Sequence, residues 1–120
     1  MFKDMRDLNL KFVKVGFRPG FNSSILRQRV SFIEEEFNEL VVAVDNNDNA
    51  EALDALVDIV VVAIGTAIQM NWDFERAWKK VHIANMKKFA AKCELANNRN
   101  MDYDLIKPPS WVAPDLEDCV

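Results

Sequence analysis

The stretch from Ile59 to Ile68 carries no charged residue, and it limits the possible folds more than any other feature of the chain. It falls well short of the ~20 apolar residues a membrane span needs, so it is expected to be the buried part of a core helix, and no membrane segment is expected. The helix itself is predicted from about Ala50 to Met70 and is apolar almost all round, with Glu51, Asp54, Asp58 and Gln69 on one stripe. No other side of it is polar. That stripe is therefore either a plain solvent-exposed face or half of a charged site, and this helix alone leaves both open.

The preceding segment bears on the choice. Asn22-Ser23-Ser24 offers N-caps for a long helix running to about Val44. Ser31, Glu34, Asn38 and Asp45 fall together on a narrow polar face at about 100° per residue. Glu35, Glu36 and Glu39 project to the opposite side, among Phe32, Leu40, Val42 and Ala43, where unpaired charges are costly unless a partner neutralises them. A divalent cation is the simplest such partner, because Mg²⁺ and Mn²⁺ favour carboxylate oxygens and Mg²⁺ shares its shell with phosphates and water. A solvated acidic face is the plainer alternative, and the apolar interleaving argues against it.

Asp45-Asn46-Asn47-Asp48-Asn49 is a short polar loop, and Asp48 with Glu51 resembles a capping box for the apolar helix. So short a loop makes the two helices antiparallel neighbours. With the turn centred near Asn47 and ~1.5 Å of rise per residue, Glu36 comes level with Asp58, and Glu39 with Asp54 or Ala55. Glu35 and Glu39 are neighbours on one helix, as Asp54 and Asp58 are on the other. Five carboxylates then share one pocket. Like charges gathered this way are reasonable only with cations among them, and such cations clamp phosphate oxygens and activate water.

Composition sets the remaining bounds. A chain of 120 residues, 50% of them hydrophobic, suits one domain with apolar surface left for another subunit. The net charge of −4 provides no basic field for duplex nucleic acid or anionic lipid. Cys93 and Cys119 lack a metal-type spacing and read as reduced thiols, and the N-terminus lacks the apolar run of a signal peptide, so a cytoplasmic protein is expected.

Around the hairpin, Phe2 to Val15 reads as an amphipathic packing helix, ended by Gly16 and Pro19-Gly20. A fourth helix is predicted from Asn71 and Asp73 through about Ala90. No strand signal appears. Asn97 to Asn100 is loop-like, and Asp102 to Val120 reads as an extended or irregular tail. The expectation is thus an all-α antiparallel bundle of four to five helices over residues 1–95, followed by a tail over 96–120.

Three blocks carry a resemblance: Arg29-Val-Ser-Phe-Ile-Glu-Glu35-Glu36-Phe-Asn-Glu39-Leu40, Leu53-Asp54-Ala-Leu-Val-Asp58 with the apolar run to Ala67, and Val81-His82-Ile-Ala-Asn85-Met-Lys-Lys88-Phe. Together they resemble the MazG-like all-α nucleoside triphosphate pyrophosphohydrolases, a group that includes phosphoribosyl-ATP pyrophosphohydrolases and dimeric dUTPases. The resemblance implies an α-helical homodimer or homotetramer that converts an NTP or dNTP to the monophosphate and pyrophosphate, with Mg²⁺ (or Mn²⁺) held by Glu35, Glu36, Glu39 and Asp58. The sequence departs from the family pattern at Ala55, where a Glu is common; Asp54 or Glu51 must then supply the carboxylate, and levelness with the facing helix favours Asp54.

Glu35, Glu36 and Asp54 are the candidates for catalysis, Asp54 as a ligand or as the base for water. Arg29 is either a structural counter-ion or a phosphate ligand. His82 is a surface histidine or a substrate contact, while Asn85 and Lys88, three residues apart, can reach one ligand. In Lys107-Pro108-Pro109-Ser110-Trp111 the prolines limit backbone freedom, the Lys suits a phosphate and the Trp can stack on a base, as a lid would; packing against a partner subunit is the alternative. Phosphoribosyl-ATP hydrolysis, and a non-catalytic helical module, are the competing functions.

Overall fold

The structure is a computed structural model that describes residues 1–92 and 103–120. Its first three helices are α1 (Phe2–Lys14), α2 (Ser23–Asp45) and α3 (Asn49–Gln69), and all three end with the same device. Gly16, Asn47 and Asn71 take left-handed conformations, with φ of 103°, 54° and 59°, which only Gly and, among side-chain residues, chiefly Asn adopt at low cost. The next residue then reaches back to the last turn: Phe17 N–H donates to Phe12 O at 3.0 Å, Asp48 to Ala43 O at 2.8 Å and Trp72 to Ala67 O at 2.8 Å. These bonds satisfy carbonyls that a helix end otherwise leaves open. At the opposite ends, Asn22 Oδ1 accepts from Ile25 N–H at 3.0 Å, and Asp48 Oδ1 accepts from both Ala50 and Glu51 N–H at 3.1 Å.

The connection between α2 and α3 is so short that the two helices run antiparallel and form the most extensive contact between elements. Small side chains permit the close approach: Ala43 and Ala55 are almost fully buried. Along α3 the apolar run supplies Ile64 and Ala67, and α1 packs onto it with Met5. None of the described helices is long and apolar enough to cross a membrane.

Residues 1–74 form one compact unit and residues 75–120 a second. The second unit contains nearly all of α4 (Phe74–Met86), then β1 (Phe89–Lys92) and β2 (Tyr103–Ile106), which pair antiparallel with Phe89 opposite Ile106 and Lys92 opposite Tyr103. Two expectations are corrected here. The fourth helix does not extend to Ala90, because Lys87 and Lys88 N–H bond to Ala84 and Asn85 carbonyls three residues back and close it. The tail is also not irregular throughout. Phe-Ala-Ala-Lys and Tyr-Asp-Leu-Ile are too short to show a two-residue period, and their pairing is non-local. The chain is nonetheless all-α in class, with four α-helices and one small sheet among the described residues. Cys119 is a free, buried thiol. Cys93, Asn97 to Asn100 and the division drawn between residues 95 and 96 lie outside the described residues.

Candidate active site

Glu36 is the centre of the acidic hairpin. Burial of its carboxyl and, after that, the charges of Glu39, Asp58, Glu35 and Asp54 push it above the usual glutamate range. The other four predicted carboxylates, two from α2 and two from α3, therefore all act on Glu36, as hairpin geometry requires. No basic side chain is among the causes. Oxygen Oε2 of Glu36 is covered from solvent and has no hydrogen-bond partner among the described residues, an arrangement that costs free energy in the protein alone. Ala55 is only 2% exposed; its methyl group is packed away, and Asp54 one residue earlier provides the carboxylate that acts on Glu36.

A metal ion fits this donor set on two grounds. Every donor is a hard oxygen, which suits Mg²⁺ or Mn²⁺, and the orphaned Oε2 is an acceptor without a donor. Among the described residues no group of three or more His, Cys, Asp or Glu side chains is placed so that it could hold a metal ion. Carboxylates within electrostatic reach but short of a closed cage match a cation that completes its shell with phosphate and water. Beside them, an open groove of about 450 Å³ is lined by Glu35, Asn38, Glu39 and Glu51 among others.

Arg29 reaches α3 from α2. Its Nε donates to Thr66 Oγ1 and its Nη2 to the Val62 carbonyl, each at 3.1 Å, and its guanidinium lies 5.4 Å from the centre of the Phe32 ring. Burial holds it below the usual arginine range. Gly65 makes this possible, because a Cβ there would come within 3.1 Å of Nη2. Nothing in the sequence marked Gly65 and Thr66 as partners of Arg29, since that contact joins residues 37 apart.

The other candidates belong to the second unit. Trp111 Nε1 donates to the Ala84 carbonyl of α4 at 2.7 Å, and its own N–H closes a turn onto Pro108 O at 2.9 Å. The Nζ atoms of Lys88 and Lys107 lie 4.9 and 4.7 Å from the Trp111 ring centre, and Lys88 also donates to Asn85 Oδ1 at 2.9 Å. Asn85, Lys88, Lys107 and Trp111 thus form one group, whereas His82 is exposed on the same helix. Trp111 rests on its own chain's helix. The end of the tail is held by Asp118, which takes ion pairs from Arg76 and Lys80, while Lys80 also donates to Asp115 O at 2.9 Å.

The sequence reading missed two polar side chains. Asn9 and Gln69 are 5% and 7% exposed, whereas the stripe that carries Gln69 is expected to be a solvent-exposed face or half of a charged site. The available signal was Asn9 itself, which sits four residues after Met5 on the apolar side of α1.

The family model for phosphoribosyl-ATP pyrophosphohydrolase matches residues 18–85, more than half of the chain. A search of curated proteins found no match. The matched region contains both acidic helices, Arg29, His82 and Asn85. Pyrophosphohydrolases of this kind are typically metal-dependent. The chain belongs to the phosphoribosyl-ATP pyrophosphohydrolase family, and through it to the MazG-like all-α NTP pyrophosphohydrolase superfamily.

Proposed function

We propose that this pyrophosphohydrolase is Mg²⁺-dependent and cleaves the α–β linkage of an NTP or dNTP, releasing pyrophosphate and the nucleoside monophosphate. The observation that carries the reading is the covered, partnerless oxygen of Glu36 among four further carboxylates. A bound cation would neutralise that charge, polarise phosphate oxygens and lower the pKa of a water. Glu35, Glu36, Glu39 and Asp58 would hold it. Asp54, exposed to solvent, would orient the attacking water or take its proton. We assign Arg29 to positioning, since its hydrogen bonds fix α2 against α3 and thereby hold Glu36 level with Asp58. Asn85, Lys88, Lys107 and Trp111, with His82, are assigned to substrate contact, because the two ammonium groups held beside the ring suit phosphate and the ring suits a base.

The family match supports phosphoribosyl-ATP as a second candidate substrate, since that compound presents the same anhydride to the same acids. Pyrophosphate release from a panel of NTPs, dNTPs and phosphoribosyl-ATP with Mg²⁺ tests the reading. Release from a triphosphate nucleotide supports it, release from phosphoribosyl-ATP alone moves the substrate, and no release from any compound contradicts it.

Assembly is part of the proposal. Val30, Phe37, Val41 and Val44 form one exposed stripe on α2, and Leu53, Leu56, Val57 and Val60 another on α3. Apolar stripes of this extent are rarely left to water, and a second copy of the chain in a homodimer or homotetramer would cover them. Sedimentation as a monomer at micromolar concentration would count against this.

A further inference from the structure

Within the first unit, a cavity of about 380 Å³ lies between α1, the segment after it and the C-terminal turn of α3. That volume is in the range of small-ligand sites. Leu10, Val13, Phe17, Pro19 and Ile68 give it an apolar wall, Arg6 and Asp7 line it with one charge of each sign, and Asn9 and Gln69, two carboxamides more than nine-tenths buried, complete it. Asn9 Nδ2 donates to Met5 O at 2.9 Å, and Gln69 Nε2 makes a long contact of 3.5 Å to Asn9 Oδ1. The two carboxamides are thus joined to each other and to α1, and each amide nitrogen has a second N–H to give. The position of Gln69 is fixed through its backbone, since its carbonyl accepts from Gly20 N–H at 2.9 Å.

The cavity also lies in line with the acids. Asp58, Val62, Gly65 and Gln69 follow one another at intervals of four, three and four residues, so Gln69 is about 20° round the helix from Asp58 and about 16 Å along it. Arg29 lies between them. The vacant Cβ position of Gly65 is 3.1 Å from Arg29 Nη2 and 3.6 Å from Asn9 Nδ2, so the guanidinium and the carboxamide meet over the same glycine. Carboxylates, guanidinium and carboxamide cavity thus succeed one another along one face of α3, over a length comparable to a nucleoside triphosphate.

We propose that this cavity is the base-recognition pocket of the enzyme, with Asn9 and Gln69 as its specificity-determining residues. This rests on the pyrophosphohydrolase reading above. A nucleobase has two apolar faces for the walls and an edge carrying both donors and acceptors, and a carboxamide matches an adjacent donor–acceptor pair on such an edge.

Two measurements test the proposal. In the unmutated chain, titration with free nucleosides, followed through the side-chain amide resonances of Asn9 and Gln69, should shift both; resonances that stay fixed at saturating concentrations of all the common nucleosides overturn it. Kinetically, Gln69→Met and Asn9→Ala should raise KM for the preferred nucleotide about tenfold, the weight of one hydrogen bond, and level the preference among bases. Both should leave kcat within about twofold and leave ribose 5-triphosphate, which lacks a base, hydrolysed as by the unmutated chain. Variants that keep the original KM and base preference overturn the pocket while leaving the hydrolase reading intact. The converse is equally visible: nucleosides that shift both amides in a protein releasing pyrophosphate from no triphosphate would sink the hydrolase and keep the pocket.

Discussion

Two groups of charge in this molecule are treated in opposite ways. In the second unit, Asp118 receives Arg76 and Lys80, and the hydrogen bond from Lys80, the Cys119 thiol and the charges of both basic residues together hold its carboxyl below the usual range. In the first unit, Glu36 faces four other carboxylates, and its carboxyl is pushed above that range. Aspartate and glutamate differ little in intrinsic chemistry, so environment makes the difference. A charge that serves the fold is answered within the chain, whereas a group left in mutual repulsion costs stability and is retained for something the chain itself does not contain.

The largest expected effect comes from breaking the repelling group. Glu36→Gln or Asp58→Asn should lower pyrophosphate release roughly 100-fold or more, as loss of a ligand in a cation-dependent site does, while leaving the helical circular-dichroism spectrum unchanged. Equal loss of helix and of activity would instead make these acids structural.

The next effect sharpens the contrast by removing a half-buried cation near the site. Arg29→Ala loses two hydrogen bonds to α3 and leaves Thr66 and the Val62 carbonyl with fewer partners, which should cost about 1–3 kcal/mol in denaturant unfolding. Arg29→Lys should restore little of this, because an ammonium does not reproduce the guanidinium fork. Full stability in Arg29→Lys would show that charge, not geometry, is what α3 needs.

The smallest effect concerns the answered charge. Because Asp118 has a lowered pKa in the folded chain, its contribution is present above the ordinary aspartate range and is lost as the pH falls through the lowered value. Acidification should therefore loosen the C-terminal end of the tail, seen as faster hydrogen exchange at the Trp111 indole N–H, and Asp118→Asn should show the fast exchange already at neutral pH. Both side chains of the pair are substantially exposed, and salt should weaken the effect.

How much of this could be read from the sequence depends on the range of the interaction. The hairpin was legible because a polar loop, an Asp48 cap and two acidic stretches fix register by counting residues from one turn, and the group around Glu36 follows from that count. The helix ends at Asn47 and Asn71 are local as well. Arg29 with Thr66, Asn9 with Gln69, and β1 with β2 were not legible, because each joins residues distant in sequence through one or two polar contacts or a four-residue ladder. Periodicity assigns Gln69 to the acidic stripe correctly; it cannot show that α1 covers the C-terminal end of that stripe and leaves the other end open.

The most direct test of the unanswered charge is a pair of melting curves, with and without millimolar Mg²⁺, for the unmutated chain and for Glu36→Gln. A ligand held only by the folded state must raise the midpoint, so Mg²⁺ should stabilise the unmutated chain by several degrees and the variant hardly at all. Without metal the variant should melt at least as high as the unmutated chain, since one repelling charge is gone. An unmutated chain indifferent to Mg²⁺, or a variant that gains as much from it, would contradict the account.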